Sequence, residues 1–281
     1  MFLPLITAIP KAVLCSVQNA NPRKDTVTNY PSIEEAIKDI LACAPQIIAF
    51  GEIHPDPGFT YKSTKARFAE SVLPQLAASG IRDLVIEQIL IDPSIEAEIN
   101  LFYSTGCDIN GKNTPTLANN INFIDRKDLI YMLKRCKELG IRIHAGGMSI
   151  AQANETTKHP NFSKKITLRD RARKYSGKAI QAKINQLLRL SPKLRFAVYG
   201  GLIHNNISDS SDFLNDGTNF GRNLSKRLRK RYFEVDLLPP QEKEMINNFG
   251  KVRDWEKLIP EKGAASVNRN QTRIIFFPET N

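Results

Sequence analysis

Short apolar runs alternate along the chain with stretches that have helical periodicity. Six of the runs are rich in branched or aromatic residues and are bounded by turn signals, which is typical of buried strands. They lie at 46–51, 84–88, 141–145, 195–200, 232–237 and 273–277. Because they are apolar throughout rather than alternating, they favour parallel strands that are covered on both faces.

Helix signals lie between these runs, since each predicted helix has a polar capping residue before it or a glycine after it. The predicted helices follow the capping box of Ser32 and Glu35, span 63–79 up to Gly80, run from Asp125 to Gly140, extend from Thr167 and Asp170 to about Leu190, and span 221–231. Strands that alternate with helices predict an α/β fold with a mostly parallel central sheet flanked by helices.

The chain is interpreted as one α/β domain over 31–281, preceded by an N-terminal extension over 1–30. Its 281 residues are enough for one large domain. Residues 103–124 are rich in Asn, Gly and Thr, and we expect an irregular insertion there. Residues 204–220 have a similar composition.

The composition, 41% hydrophobic and 25% charged, is typical of a soluble globular protein, but the formal net charge is +11. This excess favours contact with anions such as phosphate, carboxylate, anionic lipid or nucleic acid. The sequence contains no nucleic-acid-binding module, and its basic segments lack interleaved aromatic residues, so we expect no nucleic-acid partner. A small-molecule or peptide substrate with an anionic group fits the charge better. The oligomeric state is left open.

The cysteines and the N-terminus bear on the compartment. The four cysteines form no CxxC pair and predict reduced thiols in the cytoplasm; they are Cys15, Cys43, Cys107 and Cys136. Residues 1–16 are apolar, but no Lys or Arg precedes them and prolines interrupt them. Export or lipid anchoring through this segment is the alternative. No stretch approaches the length of a membrane-spanning helix.

Titratable residues stand where the predicted strands end, which is where α/β proteins bind their ligands. They are Glu52 and His54 after the first run, Glu87 in the second, His144 in the third, and Tyr199 and His204 at the fourth. A short repeat links two of these positions, because GEIH at 51–54 and GLIH at 201–204 share the pattern Gly-x-x-His. In each, the glycine lets the backbone turn sharply off the strand.

Two chemistries fit two histidines and two glutamates in one crevice. In the first, the four residues hold a divalent metal that activates a water molecule; the metal ligands would be His54, His204, Glu52 and Glu87. In the second, a histidine or a buried glutamate such as Glu87 is the general base, without a metal. The residue pattern leaves both open.

The two Gly-x-x-His motifs, with an acidic residue ending the second strand, resemble the superfamily that joins the ChaN haem-binding proteins, the Tiki and TraB proteins and the erythromycin esterases. GEIH is most similar to the ChaN branch. TLRDRARKY at 167–175, RFAVYGGLIHN at 195–205 and GRNLSKRL at 221–228 resemble further pieces of that branch, in the same order. The resemblance covers roughly residues 45–235. The chain departs from the ChaN pattern at Pro55, where that branch often has an aspartate.

The resemblance implies an α/β fold with one site, formed by Glu52, His54, Glu87, Arg169, Asp170 and His204. The first functional hypothesis is a hydrolase of esters or peptides, in which Arg169 stabilises developing negative charge. The second is a haem-binding protein, in which His144 or Tyr199 is the candidate iron ligand. The third is a secreted effector or toxin-like module. A core role for His144 and Tyr199 stays an alternative.

Overall fold

The structure is a computed structural model. It describes residues 25–53, 61–105, 126–157, 162–202, 219–241, 246, 254–269 and 271–277; within these, the side chains of 126, 156, 157, 162–170 and 173 lie outside the description. None of the described helices is both long enough and apolar enough to cross a membrane.

Eight strands form one sheet in the described part of the chain, in the order β1-β7-β8-β6-β2-β5-β3-β4. They are β1 Thr26–Tyr30, β2 Ile47–Glu52, β3 Asp83–Ile86, β4 Arg142–Ala145, β5 Phe196–Gly201, β6 Tyr232–Leu238, β7 Ala264–Arg269 and β8 Thr272–Phe276. The six strands from β8 to β4 are parallel, whereas β7 and β1 run antiparallel to their neighbours. The predicted α/β fold with a mostly parallel sheet is confirmed.

The two strands that the apolar pattern does not predict, β1 and β7, form the antiparallel end of the sheet. β1 (TVTNY) alternates polar and apolar residues and is mostly exposed, so it lacks the continuous apolar run of a central strand. It pairs with β7 from Thr26↔Asn268 to Tyr30↔Ala264. The last residues of the predicted N-terminal extension are therefore part of the sheet.

The helices that flank the sheet are α1 Ile33–Ala42, α2 Thr64–Arg67, α3 Leu73–Ala78, α4 Pro93–Thr105, α5 Arg126–Glu138, α6 Ile150–Thr157, α7 Phe162–Leu190 and α8 Phe220–Leu228. A π-helical turn, Phe68–Val72, joins α2 to α3. Two 3-10 turns follow, at Arg229–Arg231 and Trp255–Leu258. Ser32 caps α1 as predicted, because its hydroxyl accepts the backbone N–H of Glu35.

One predicted helix boundary is wrong. α7 begins at Phe162, so Thr167 and Asp170 lie inside the helix instead of capping it. The segment FSKKI places apolar residues at 162 and 166, a helical spacing that carries the pattern further toward the N-terminus. Residues 103–105 of the predicted insertion are the last turn of α4, and 106–124 lie outside the described residues.

Two helical layers cover the two faces of the sheet. On one face, α1, α3 and α5 pack against even-numbered residues of β2, such as Phe50. On the other, α7 and α8 pack against odd-numbered residues, such as Ala49. Since successive residues of a strand point to opposite faces, residue number decides on which side each polar group at the strand ends lies.

Candidate functional site

Both Gly-x-x-His motifs leave the sheet at nearly the same level. β2 and β5 are parallel neighbours, and their last register pairs are Gly51↔Gly200 and Glu52↔Gly201. The first motif starts at Gly51 and the second at Gly201, one residue apart in register. His54 and His204 themselves lie outside the described residues.

Glu52 is the centre of a buried polar cluster. Its Oε1 accepts hydrogen bonds from Lys65 Nζ at 2.6 Å and from Gln88 Nε2 at 2.7 Å. Its Oε2 accepts the hydroxyl of Tyr199 at 2.6 Å. The side chains of Glu52 and Lys65 are both 0% exposed. Both carboxylate oxygens are thus engaged, and the carboxylate is fixed in place from three directions.

Lys65 was not among the residues that the sequence singles out. It lies in STKARF, where a lysine ordinarily belongs to a solvated helix face, yet here it is fully buried. Ser63 caps α2 by accepting the backbone N–H of Ala66, and the bond from Lys65 to Glu52 ties this helix to the end of β2. The one available signal was Glu52 itself, because a buried carboxylate needs a cationic or hydrogen-bonding partner.

Glu87 lies at the same end of the sheet as Glu52, but on the opposite face. It lies one residue beyond β3 and is partly exposed. Its Oε2 accepts the backbone N–H of Gly201 at 2.6 Å, and its own N–H donates to the carbonyl of Tyr199 at 3.0 Å. A Cβ on Gly200 would lie 2.4 Å from that Oε2, so this position requires glycine for the carboxylate to cross the strand.

A third carboxylate, Asp236, lies at the same level and is not among the residues that the sequence singles out. It pairs in register with Gly51, which pairs with Gly200, and Glu87 lies across Gly200. Laterally paired residues of a sheet face the same side, so these four residues form one row on the face covered by α7 and α8. Asp236 is 0% exposed. An acidic residue inside the run YFEVDL was its only signal.

The described donor set does not fit a divalent metal at Glu52. An ammonium group already contacts this carboxylate at 2.6 Å, and a metal cation would have to displace it. No cluster of three or more His, Cys, Asp or Glu side chains is close enough to hold a metal within the described ranges. Glu52 is therefore not proposed as a metal ligand.

Tyr199 has the contacts of a core tyrosine. It is 0% exposed, its hydroxyl donates to Glu52, and its ring centroid lies 4.4 Å from that of Phe68. These contacts direct the phenol into the protein and not toward an open crevice where a haem could bind. Tyr199 therefore helps to hold Glu52 in place.

His144 is not brought to Glu52 and Glu87. Its Nε2 lies 2.8 Å from Oδ1 of Asp83, which is the first residue of β3 and so lies at the opposite edge of the sheet. Arg142 donates to the other oxygen of Asp83 at 3.0 Å. Burial alone would raise the pKa of Asp83, but the hydrogen bonds from His144 and Arg142 outweigh it and lower the pKa. This is a structural ion pair.

We expect Asp83→Asn to remove a stabilising contribution that depends on pH. Because the pKa of Asp83 is lower in the folded protein, the contribution is complete above its ordinary pKa of 3.8 and is lost as the pH falls through the folded pKa. Thermal unfolding at several pH values tests this. The gap in midpoint between wild type and variant should be constant at neutral pH and shrink in acid; a gap that stays constant in acid would count against the ion pair.

Arg169 and Asp170 are placed only by their backbone. They lie in the N-terminal half of α7, a helix of 29 residues whose C-terminal end leads into β5. Such a helix is about 43 Å long, whereas the six-residue strand β5 spans about 20 Å. The helix is thus about twice as long as the strand that follows it. Their side chains lie outside the described residues, so their placement at the site stays a prediction.

The fold and the cluster define an α/β protein with buried and half-buried carboxylates at the carboxyl ends of three central parallel strands. No protein-family model and no curated protein matches the sequence. The solved structure of the type III effector HopBA1 matches with 12% identity over 90% of this chain and 98% of that chain, at a TM-score of 0.51. This likeness establishes a shared fold.

Two further solved structures match less well. A Bacillus cereus protein is 12% identical over 76% of this chain and 72% of its own, with a TM-score of 0.45. RRSP, a MARTX toxin effector domain from Vibrio vulnificus, is 14% identical over 63% of this chain and 31% of its own, with a TM-score of 0.41.

Proposed function

We propose that the protein is a hydrolase whose water-activating groups are Glu87, His54 and His204. The observation that carries the proposal is the convergence on Gly201, the first residue of the second Gly-x-x-His motif. Glu87 accepts the N–H of Gly201, and Gly201 pairs in register with Glu52 of the first motif. A carboxylate is thereby fixed beside the points where both histidine-bearing segments leave the sheet.

The histidines are within reach of this carboxylate. His54 follows Glu52 by two residues and His204 follows Gly201 by three, and each residue adds at most about 3.6 Å. Two imidazoles starting from adjacent strands can thus enter one crevice. One histidine would take the proton from water while Glu87 orients it, and Arg169 would stabilise the negative charge that develops on the substrate.

In this proposal Glu52 is a positioning residue rather than the base. Its side chain is 0% exposed, so substrate water does not reach it, and its two oxygens already accept short hydrogen bonds from Lys65, Gln88 and Tyr199. Its role is to fix the end of β2, from which His54 departs. This refines the expectation that Glu52 activates water itself.

An ester or peptide with an anionic group is the proposed substrate class, since the net charge of +11 favours anions. This agrees with the resemblance to the ChaN, Tiki and erythromycin-esterase superfamily, whose branches include hydrolases. Haem binding of the ChaN type and an effector or toxin-like role remain the alternatives. The likeness to HopBA1 fits the last of these, but it concerns the fold alone.

A substrate screen with a haem titration separates these functions. Purified protein is offered panels of chromogenic esters and short peptides with and without acidic groups, its metal content is measured, and haem is titrated while the Soret band is followed. We expect turnover of at least one anionic ester or peptide and no saturable Soret shift. Saturable haem binding with no turnover in either panel would replace the hydrolase by a haem-handling protein.

A further inference from the structure

The edge of the sheet opposite the candidate site carries a dense group of cations. We call it the amino-edge patch; it comprises residues 189–195, which lead from α7 into β5, and residues 226–231, which lead from α8 into β6. Its cations are Arg189, Lys193, Arg195, Lys226, Arg227, Arg229, Lys230 and Arg231. Neither segment contains a carboxylate, so these eight residues account for most of the formal net charge of +11.

The two segments form one continuous surface, because both are bonded to the residue that precedes β2. The side-chain amide of Gln46 donates to the carbonyl of Pro192 at 2.6 Å, and its backbone N–H donates to the carbonyl of Arg231 at 2.8 Å. Arg195 also donates to the carbonyl of Pro45 at 3.0 Å. The two segments therefore lie next to each other at this end of the sheet.

The charge of the amino-edge patch is not neutralised within the described part of the protein. Seven of its cations are exposed and take part in no salt bridge there; they are Arg189, Lys193, Lys226, Arg227, Arg229, Lys230 and Arg231. Like charges so close together repel one another, and an external anionic surface would relieve that repulsion.

Leu190 stands among these cations. It is the last residue of α7 and is 76% exposed, whereas the other exposed large hydrophobic residues among those described are 39–45% exposed. An exposed leucine flanked in sequence by Arg189 and Lys193 matches the interface of a bilayer, where apolar groups enter the acyl boundary and cations contact lipid phosphates. Neither segment contains an aromatic residue on which a nucleic-acid base could stack.

We propose that the amino-edge patch docks the protein onto an anionic membrane surface, with Leu190 entering the headgroup region. The patch lies at the amino ends of the parallel strands, whereas Glu52 and Glu87 lie at their carboxyl ends. Docking therefore leaves the candidate site facing away from the bilayer. The site would then act on substrates in water or on proteins near the membrane. The docking does not depend on the proposed hydrolysis.

Cosedimentation with phosphatidylcholine vesicles, with and without phosphatidylserine, tests the proposal. We expect saturable binding at physiological salt that requires phosphatidylserine. In the triple variant Lys193→Gln, Lys230→Gln, Arg231→Gln, binding should weaken roughly 100-fold, because each cation near an anionic surface contributes roughly fivefold in affinity. The separate variant Leu190→Ser should also weaken vesicle binding, although its charge is the same as in the wild type.

The matched control removes the same charge elsewhere. Lys127, Lys257 and Lys262 are exposed and lie outside the patch, so their triple change to Gln should leave vesicle binding at the wild-type level. Equal weakening by both triple variants would show that net charge alone attracts the protein and would overturn the proposal. So would an unchanged affinity of Leu190→Ser, or capture of an RNA oligonucleotide by protein that ignores the vesicles.

Discussion

Replacing Lys65 with methionine is expected to lower the free energy of unfolding by about 3–5 kcal/mol, because it leaves a buried carboxylate without its cation. Lys65 and Glu52 are both 0% exposed and their charged atoms lie 2.6 Å apart, so water cannot take the place of the lost ammonium. Domains of this kind are stable by roughly 5–15 kcal/mol in total. The single change should therefore shift the urea unfolding midpoint clearly.

Two further variants separate the ion pair from the loss of a long side chain. Adding Glu52→Gln to Lys65→Met removes the unpaired charge and should recover much of the lost stability. Lys62→Met is the control, because Lys62 pairs with Glu70 at an exposed site and should cost at most about 1 kcal/mol. If Lys65→Met unfolds no earlier than Lys62→Met, Glu52 is not held by a buried ammonium.

Glu87→Gln is expected to lower the rate of hydrolysis by about 10²–10⁴-fold while leaving the fold intact, because the histidine base loses the carboxylate that orients it. The amide oxygen of Gln can still accept the N–H of Gly201, so the local geometry is kept and only the charge is lost. Turnover of the best substrate from the screen measures the effect. Glu256→Gln, at an exposed carboxylate, should turn over at the wild-type rate.

Gly200→Ala reaches the same carboxylate without changing its charge. The added methyl would lie 2.4 Å from Oε2 of Glu87, so the side chain must leave its place across the strand. We expect the activity of Gly200→Ala to fall by a factor similar to that of Glu87→Gln. We also expect its free energy of unfolding to fall by about 1–3 kcal/mol, because the added methyl overpacks this position. Full activity in Gly200→Ala would show that the observed position of Glu87 is not the one used in catalysis.

The central strands could be predicted from sequence because burial on both faces leaves a distinct mark. Six apolar runs locate the six parallel strands, and their order along the chain predicts the α/β class. β1 and β7 carry no such mark. β1 is a mostly exposed edge strand, and β7, although its first four residues are buried, is interrupted by Ser266 and Asn268 and so has no continuous apolar run. The start of α7 was placed too late because capping residues also occur inside helices.

The polar cluster was predictable only in part. Glu52 and Glu87 stand out because a carboxylate at the end of an apolar run is unusual. The partners that fix Glu52 do not, since Lys65 looks like a surface residue and Gln88 looks like the polar end of an apolar run until the tertiary structure brings them to Glu52. Asp236 lies beside Gly51 because of the register between β6 and β2, and no short sequence motif predicts that register.

The most direct test of a single site is a double-mutant cycle between the two motifs. Turnover is compared for His54→Ala, His204→Ala, the double variant, and His159→Ala, which changes the one remaining histidine besides His144 and serves as the control. Residues that act as a unit lose activity non-additively. We predict that the double variant is no less active than the more damaged single variant and that His159→Ala is unaffected. Losses that multiply, or full activity in either single variant, would contradict a shared site.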